Sequence, residues 1–287
     1  MDPLTILPFA LLLAAVLGLW IHRVVWVTAL AAAVASGYYT GALQGLAGLW
    51  ILIATGLAWL YARIRARPPS PGTRVLRVAS GLLFLACGLA MALPLLPGFN
   101  RVELVAPQVL SAGAEPYGVS VGFPKVVVGI LILGLINPVL SRRGLGDVLA
   151  KALPIWLLTT VLVSSFALAL GYTAFAPKWT ALFLLWAPIN LFFTCLSEEA
   201  FFRGFLQYEL AGAARVPFMP TVALVIAALL FGLLHYPGGA TYVVAGVIAG
   251  LGYGWAFLRT RRIEAAMGVH FGVNATHFLL FVYPRLT

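Results

Sequence analysis

The sequence has very little charge. Only 9% of its 287 residues are Asp, Glu, Lys or Arg, whereas 62% are hydrophobic and the mean hydropathy is +1.03. Soluble domains carry about 25% charged residues, so this composition excludes an ordinary soluble protein. Apolar segments of about 20 residues with short links would give eight to ten membrane spans in a chain of this length. We therefore expect an all-α, polytopic transmembrane helical bundle of about 8–10 helices.

Cysteine and aspartate are also scarce. Cys87 and Cys195 both lie in apolar runs, which is typical of small buried side chains rather than of a disulfide or a metal pair. The stretch 144–147 reads Gly-Leu-Gly-Asp, the GxGD pattern of intramembrane aspartyl proteases, but that chemistry needs two aspartates. Since Asp2 is the only other aspartate, we expect a turn and a helix start at 144–147. The chain also has no HExxH and no Gly-x-Ser-Gly sequence, which argues against zincin-like and serine nucleophile sites.

Ten apolar runs predict the helices. They cover residues 4–21, 25–40, 46–62, 76–97, 124–141, 154–176, 179–210, 220–236, 241–258 and 264–283. Of the cations in the links between runs, 13 fall on one side of the membrane and four on the other. The positive-inside rule makes the richer side cytoplasmic and places both termini outside. Residues 98–123, with several glycines and prolines, are expected to form the longest external loop.

The net charge of +10 does not indicate a nucleic-acid partner, because the basic residues form short clusters between apolar runs. Membrane lipid is the partner that the composition itself predicts. The abundance of Arg and Ala is typical of a GC-rich bacterial genome. We therefore expect an integral protein of a bacterial inner membrane.

Charge is concentrated in one apolar run, at residues 196–204. Glu198, Glu199 and Arg203 lie there among Phe, Leu and Ala. Because lipid cannot offset the cost of burying them, these side chains must face protein or a water-filled cavity. At helical spacing Glu199 and Arg203 share one face, while Glu198 points about 100° away. The alternative interpretation is a buried ion network that only holds helices together.

Two later apolar runs supply imidazoles and an amide. Phe231 and His235 end one run, and His270 and Asn274 lie four residues apart in another. The motifs EExxxR, FxxxH and HxxxN, in this order, resemble those of the CAAX prenyl endopeptidase and bacteriocin-processing family, which are Abi-type intramembrane proteases. The resemblance covers roughly residues 154–280. We accordingly divide the chain into N-terminal helices of unknown role, 1–150, and a protease domain, 151–287.

The resemblance implies an intramembrane endopeptidase that hydrolyses a peptide bond near the cytoplasmic side of the membrane. Glu198 would be the general base, because helical geometry does not pair it with Arg203. Glu199 and Arg203 would orient the site. His235 would share the attacking water.

The remaining roles come from the resemblance alone. His270 and Asn274 would donate hydrogen bonds to the oxyanion of the tetrahedral intermediate. The implied substrate is a peptide or protein. A prenylated CAAX terminus and an unprenylated leader or membrane peptide both remain open, and the bacterial composition favours the second.

The metal requirement stays open as well. Glu198, His235 and His270 could bind Zn²⁺, or the same residues could hydrolyse peptides without a metal. The family is commonly called a metalloprotease family, yet a metal-free glutamate mechanism is also argued for it.

Two other function classes are retained. A non-catalytic immunity or scaffold protein could use the same fold, since fold does not fix function. A transporter would also place charge at mid-membrane, but it would be expected to show inverted repeats or paired broken helices. No internal repeat is apparent in the sequence.

Overall fold

A computed structural model describes residues 3–137, 144–214 and 216–287. Within these ranges the chain is an all-α bundle with ten helical segments, one for each predicted run. Their bounds are α1 Pro3–Gly18, α2 Arg23–Tyr39, α3 Ala47–Arg65, α4 Pro71–Ala92, α5 Pro124–Leu131 with its continuation Ile132–Ile136, α6 Leu145–Ala169, a long helix Leu182–Ala211, α10 Met219–Leu233, α11 Ala240–Thr260 and α12 Ile263–Leu280. The end of the predicted run 124–141 lies outside the described residues. Three of the predicted cytoplasmic cations, Arg142, Arg143 and Arg215, lie outside them as well.

Five of the described helices are long and apolar enough to cross a membrane. They are α3, α4, α6, the long helix Leu182–Ala211 and α11. Three shorter helices are also apolar, namely α1, the helix Pro124–Ile136 and α10. The polytopic membrane fold is therefore confirmed, and α2 and α12 fall outside both apolar groups.

The long helix Leu182–Ala211 is not a uniform α-helix. It contains three α-helical stretches, α7 Leu182–Ile189, α8 Leu196–Glu199 and α9 Tyr208–Ala211. Between them lie two π-helical stretches, Asn190–Cys195 and Ala200–Gln207. In a π-helix the hydrogen bonds run from residue i to i+5, and such segments are frequent at functional sites.

The chain divides into two compact units. The first consists of Met1–Leu104 and Ser120–Pro138. Within it α1 packs on α2, α3 packs on α4, and α5 packs on α3 and α4. Gly134 allows the helix after α5 to approach Trp26, because a Cβ there would lie 2.7 Å from the indole. None of the predicted site residues belongs to this unit.

A two-stranded sheet, which the sequence did not predict, occupies part of the predicted external loop 98–123. The strands are β1 Val102–Gln108 and β2 Tyr117–Val121. Both contain valines, which favour strands, and β2 also contains Tyr117; the glycines and prolines around them obscure this pattern in the sequence. The stretch Val105–Val119 belongs to the second unit.

The second unit consists of Val105–Val119 and Val139–Thr287. Its helix α11 packs on α6, α10 and α12. Glycines one turn apart allow close approach to α10: a Cβ on Gly246 would lie 3.1 Å from Cα of Gly232, and a Cβ on Gly250 would lie 3.1 Å from Cα of Ala228. Small residues let helix backbones come close in membranes. The close contact brings the end of α10 against α11.

The GxGD-like stretch is a helix start, as predicted. Gly144 precedes α6 with φ 68°, a left-handed conformation that glycine adopts at no steric cost. Asp147 lies in the first turn of α6 and pairs with Lys151, at 2.8 Å, on the exposed surface. This aspartate is part of a surface ion pair.

Candidate active site

Glu199 and Arg203 form a fully buried ion pair. Nη1 of Arg203 donates to Oε1 of Glu199 at 3.0 Å, and both side chains have 0% exposure. Nη2 of Arg203 donates to the carbonyl oxygen of Gly250 at 2.8 Å. The guanidinium also lies over the ring of Phe231, 4.8 Å from its centroid. Burial of both charges is thus matched by direct pairing, as buried ions require.

A second hydrogen bond repeats this contact one turn further along. Nε2 of Gln207 donates to the carbonyl oxygen of Gly254 at 3.0 Å. The donors Arg203 and Gln207 are four residues apart on the long helix, and their acceptors Gly250 and Gly254 are four residues apart on α11. The two helices are therefore held in one register. Gln207 is a buried polar residue that sequence reasoning did not single out.

His270 completes the cluster around Glu199. Its Nδ1 lies 2.8 Å from Oε1 of Glu199, and the ring is only 4% exposed. The imidazole stacks on Tyr253, with centroids 4.3 Å apart and planes at 15°. An ionised carboxylate can only accept, so Nδ1 carries the proton and Nε2 remains for other partners. Tyr253, which sequence reasoning missed, fixes the plane of this ring.

Glu198 differs from its neighbour in burial. Glu199 is completely buried, whereas Glu198 is half-buried in the same turn of α8. The two neighbouring carboxylates therefore differ in accessibility. Of the two, Glu198 is the one that water or substrate can reach.

His235 lies at the end of α10, where the chain turns toward α11. Its Nδ1 is 2.8 Å from the carbonyl oxygen of Phe231. Because a carbonyl can only accept, Nδ1 is the protonated nitrogen and Nε2 carries the lone pair. The ring packs on Phe231 at 4.7 Å and meets the edge of Tyr242 at 4.9 Å. His235 is thus oriented to accept through Nε2.

Asn274 is held by Asn190, a residue that sequence reasoning missed. Nδ2 of Asn274 donates to Oδ1 of Asn190 at 3.2 Å, and the Cys195 thiol donates to the same oxygen at 3.3 Å. Both cysteines are free. Cys195 is buried as expected, but it also makes this hydrogen bond. The only signal for Asn190 was a lone amide in an apolar run, which resembles no motif.

The ring of Phe231 connects the parts of the site. It contacts His235, lies 5.7 Å from the ring of His270 at 89°, and carries the guanidinium of Arg203 on its face. The structure therefore brings Glu199, Arg203 and His270 into direct bonding and joins His235 to them through one aromatic ring. Asn274 lies one turn beyond His270 on α12.

The residues present do not form an evident zinc site. Among the described residues, no group of three or more His, Cys, Asp and Glu side chains is placed to hold a metal ion. In the predicted set of Glu198, His235 and His270, Nδ1 of each imidazole is engaged by a protein oxygen, which leaves only Nε2 as a nitrogen that could bind a metal. We therefore derive no step through a metal.

Comparison with known families supports the same region. Residues 179–276 match the Rce1-like family, described as Type II CAAX prenyl endopeptidase Rce1-like. The resemblance to the CAAX endopeptidases is confirmed here. The Rce1-like region includes all six predicted site residues and covers about a third of the chain, 98 of its 287 residues. No curated protein and no solved structure matches. The Rce1-like match indicates a membrane protease that acts on a peptide substrate.

Proposed function

We propose that this chain is an intramembrane endopeptidase similar to the CAAX endopeptidases, in which Glu198 activates the hydrolytic water without a metal. The observation that supports the proposal is that two neighbouring carboxylates differ in burial and in bonding. Glu199 is buried and bonded to Arg203 and His270, while Glu198 is accessible. A general base must be able to reach water, and of the two carboxylates only Glu198 meets that condition.

The first chemical step is attack of water on the peptide carbonyl. Glu198 takes one proton from the water as its oxygen bonds to the carbonyl carbon. Nε2 of His235, which bears the lone pair, accepts a hydrogen bond from the second water proton and orients the nucleophile. The carbonyl π electrons move to oxygen and give a tetrahedral oxyanion.

The oxyanion is stabilised from α12. Asn274 donates an amide N–H from Nδ2, which also donates to Oδ1 of Asn190 at 3.2 Å and to Sγ of Cys195 at 3.8 Å. The oxyanion would replace the weaker contact to sulfur. His270 donates through Nε2, and the bond of its Nδ1 to Oε1 of Glu199 holds the ring in place. The intermediate then collapses, the C–N bond breaks, and Glu198 returns its proton to the leaving amine.

The substrate and its location belong to the same proposal. The substrate is a peptide that enters a bacterial inner membrane from the cytoplasmic side, with its scissile bond reaching the depth of Glu198 about halfway through the bilayer. A leader or membrane peptide is preferred to a prenylated terminus, because prenylated substrates require a protein prenyltransferase in the same cell.

The proposal is tested with purified protein in liposomes and a mixed library of prenylated and unprenylated peptides. Glu198→Gln keeps the size of the side chain but cannot accept the water proton, so turnover should fall by about 10²–10⁴-fold, the usual contribution of a general base. Glu264→Gln is the matched control, because Glu264 pairs with Arg262 at 2.9 Å at the start of α12. If the wild type and the folded Glu198→Gln variant are equally inert, the catalytic proposal fails and a scaffold role takes its place.

A further inference from the structure

His235 lies on a different kind of backbone element from the other predicted site residues. Glu199, Arg203, His270 and Asn274 lie within continuous helices, but His235 lies in the turn between α10 and α11. The turn consists of residues 235–239 and is closed by two backbone hydrogen bonds, from Gly238 N to His235 O and from Gly239 N to Tyr236 O. A site residue on a turn needs locking contacts from outside to keep its geometry.

Arg285 provides one such contact. Its Nη1 donates to the carbonyl oxygen of Gly238, within the turn, at 3.0 Å. Its Nη2 lies 2.8 Å from Oε1 of Glu115, and the backbone N–H of Glu115 donates to the carbonyl oxygen of Arg285 at 3.1 Å. Hydrogen bonding to Glu115, and next to Tyr172, raises the pKa of Arg285 above its usual value. The guanidinium therefore ties the turn to a residue more than 100 positions earlier in the chain.

A chain of aromatic contacts also connects Arg285 to the imidazole ring of His235. The guanidinium of Arg285 lies 6.0 Å from the ring centroid of Tyr172. Tyr172 stacks on Tyr242, with centroids 5.7 Å apart and planes at 13°. Tyr242 in turn meets His235 edge to face at 4.9 Å and 85°. One arginine thus acts on both the backbone and the ring of the histidine.

We propose that Arg285 is a positioning residue for His235, with Glu115 as its counter-ion. The inference rests on the proposed function, in which His235 orients the attacking water. Arg285 holds Gly238, and through Tyr172 and Tyr242 it fixes the ring plane, so that Nε2 of His235 faces the water. The ion pair is partly exposed, and such pairs contribute little to stability. Its removal should therefore change geometry more than folding.

The chain contains only four histidines, which makes a direct readout possible. Protein labelled with ¹⁵N at histidine gives imidazole signals that can be assigned by replacing each histidine with Gln in turn. Arg285→Met removes the donors but keeps much of the apolar stem, and Arg285→Lys retains a charge with a single donor group. Lys151→Met is the matched control, because it breaks the surface ion pair with Asp147.

We expect Arg285→Met to shift or broaden the His235 imidazole signals while those of His22, His270 and His277 stay in place. Turnover should fall by roughly 10- to 100-fold with KM unchanged, since a displacement on the order of 1 Å at a reacting group can cost about 100-fold. Arg285→Lys should recover part of the turnover, and Lys151→Met should match the wild type in both readouts.

Unchanged His235 signals in folded Arg285→Met would overturn the inference, and so would an equal shift of all four histidines. Failure of the proposed function has a different signature. In that case the wild type hydrolyses no peptide in the library, while the His235 signals still report whether Arg285 positions the ring.

Discussion

Nδ1 of His270 lies 2.8 Å from Oε1 of Glu199, a residue 71 positions earlier in the chain. The same oxygen accepts Nη1 of Arg203 at 3.0 Å. One carboxylate oxygen thus joins α12 to the long helix and balances a buried guanidinium. In this arrangement Glu199 holds two elements of the fold together.

The first prediction concerns the stability of this cluster. Glu199→Gln keeps the side-chain volume but leaves the Arg203 guanidinium buried without a counter-charge. Removing one partner of a buried ion pair costs about 3–5 kcal/mol in the free energy of unfolding. Denaturant titration of the protein in micelles measures this change. Asp147→Asn, which breaks an exposed pair, should change it by less than about 1 kcal/mol. Equal unfolding of the two variants would contradict the prediction.

The second prediction concerns Asn190. Asn190→Leu removes the oxygen that accepts Nδ2 of Asn274 and the thiol of Cys195. The Asn274 amide is then free to rotate away from the oxyanion, so turnover should fall by roughly 10- to 100-fold while KM stays unchanged. Steady-state kinetics in liposomes measures both. Cys195→Ser keeps a donor to Asn190 and should remain near wild type, and a loss as large as that of Asn190→Leu would point to packing instead.

The third prediction concerns the close contact between α10 and α11. In Gly232→Ala the new Cβ would lie 2.4 Å from Cγ2 of Val247 and 2.7 Å from the carbonyl oxygen of Val243. The helices must separate, at a cost of about 1–3 kcal/mol, and His235 moves with the end of α10. Gly232→Ala should therefore lower both the free energy of unfolding and the rate of peptide hydrolysis.

Gly56 supplies the control for this substitution. Nothing lies within 4 Å of a Cβ at this position in α3. Gly56→Ala should therefore raise the free energy of unfolding by about 0.5–1 kcal/mol, the usual preference for alanine over glycine in a helix. If Gly56→Ala raises the free energy of unfolding and Gly232→Ala lowers it, the loss in Gly232→Ala comes from the contact between helices and not from helix propensity.

The fourth prediction concerns metal. Since no described group of three ligands is assembled, we expect peptide hydrolysis to survive dialysis against a strong chelator. Metal analysis of the active protein should find less than one equivalent of zinc. A loss of activity that Zn²⁺ restores and Mg²⁺ does not would contradict the metal-free mechanism and return Glu198, His235 and His270 to the role of ligands.

The helices could be predicted from the sequence because burial in lipid requires long apolar runs, and short polar links interrupt those runs. All ten runs are helical in the described chain. The sequence did not predict the strands Val102–Gln108 and Tyr117–Val121, because they are only seven and five residues long and neighbouring glycines and prolines hide their strand pattern. The π-helical stretches have no signature in composition.

The site was predictable only where spacing along one helix sets the contact. Four residues separate Glu199 from Arg203, and the pair forms as expected. The bond between Glu199 and His270 depends on how α12 packs against the long helix, which no local pattern encodes. Asn190 and Tyr253 act through that packing too, so only the folded chain identifies them.

The π-helical stretch Ala200–Gln207 begins directly after Glu199 and ends at Gln207, which donates to Gly254 on α11. Because each π-helical turn contains one more residue than an α-helical turn, this stretch tolerates no change in length. Deletion of a single residue here would remove the excess residue, return the helix to regular α-helical winding and change the angular positions of the side chains within the stretch. Arg203 and Gln207 would then lose the carbonyls of Gly250 and Gly254 together. Homologues should accordingly vary in residue type along this stretch, but not in the number of residues.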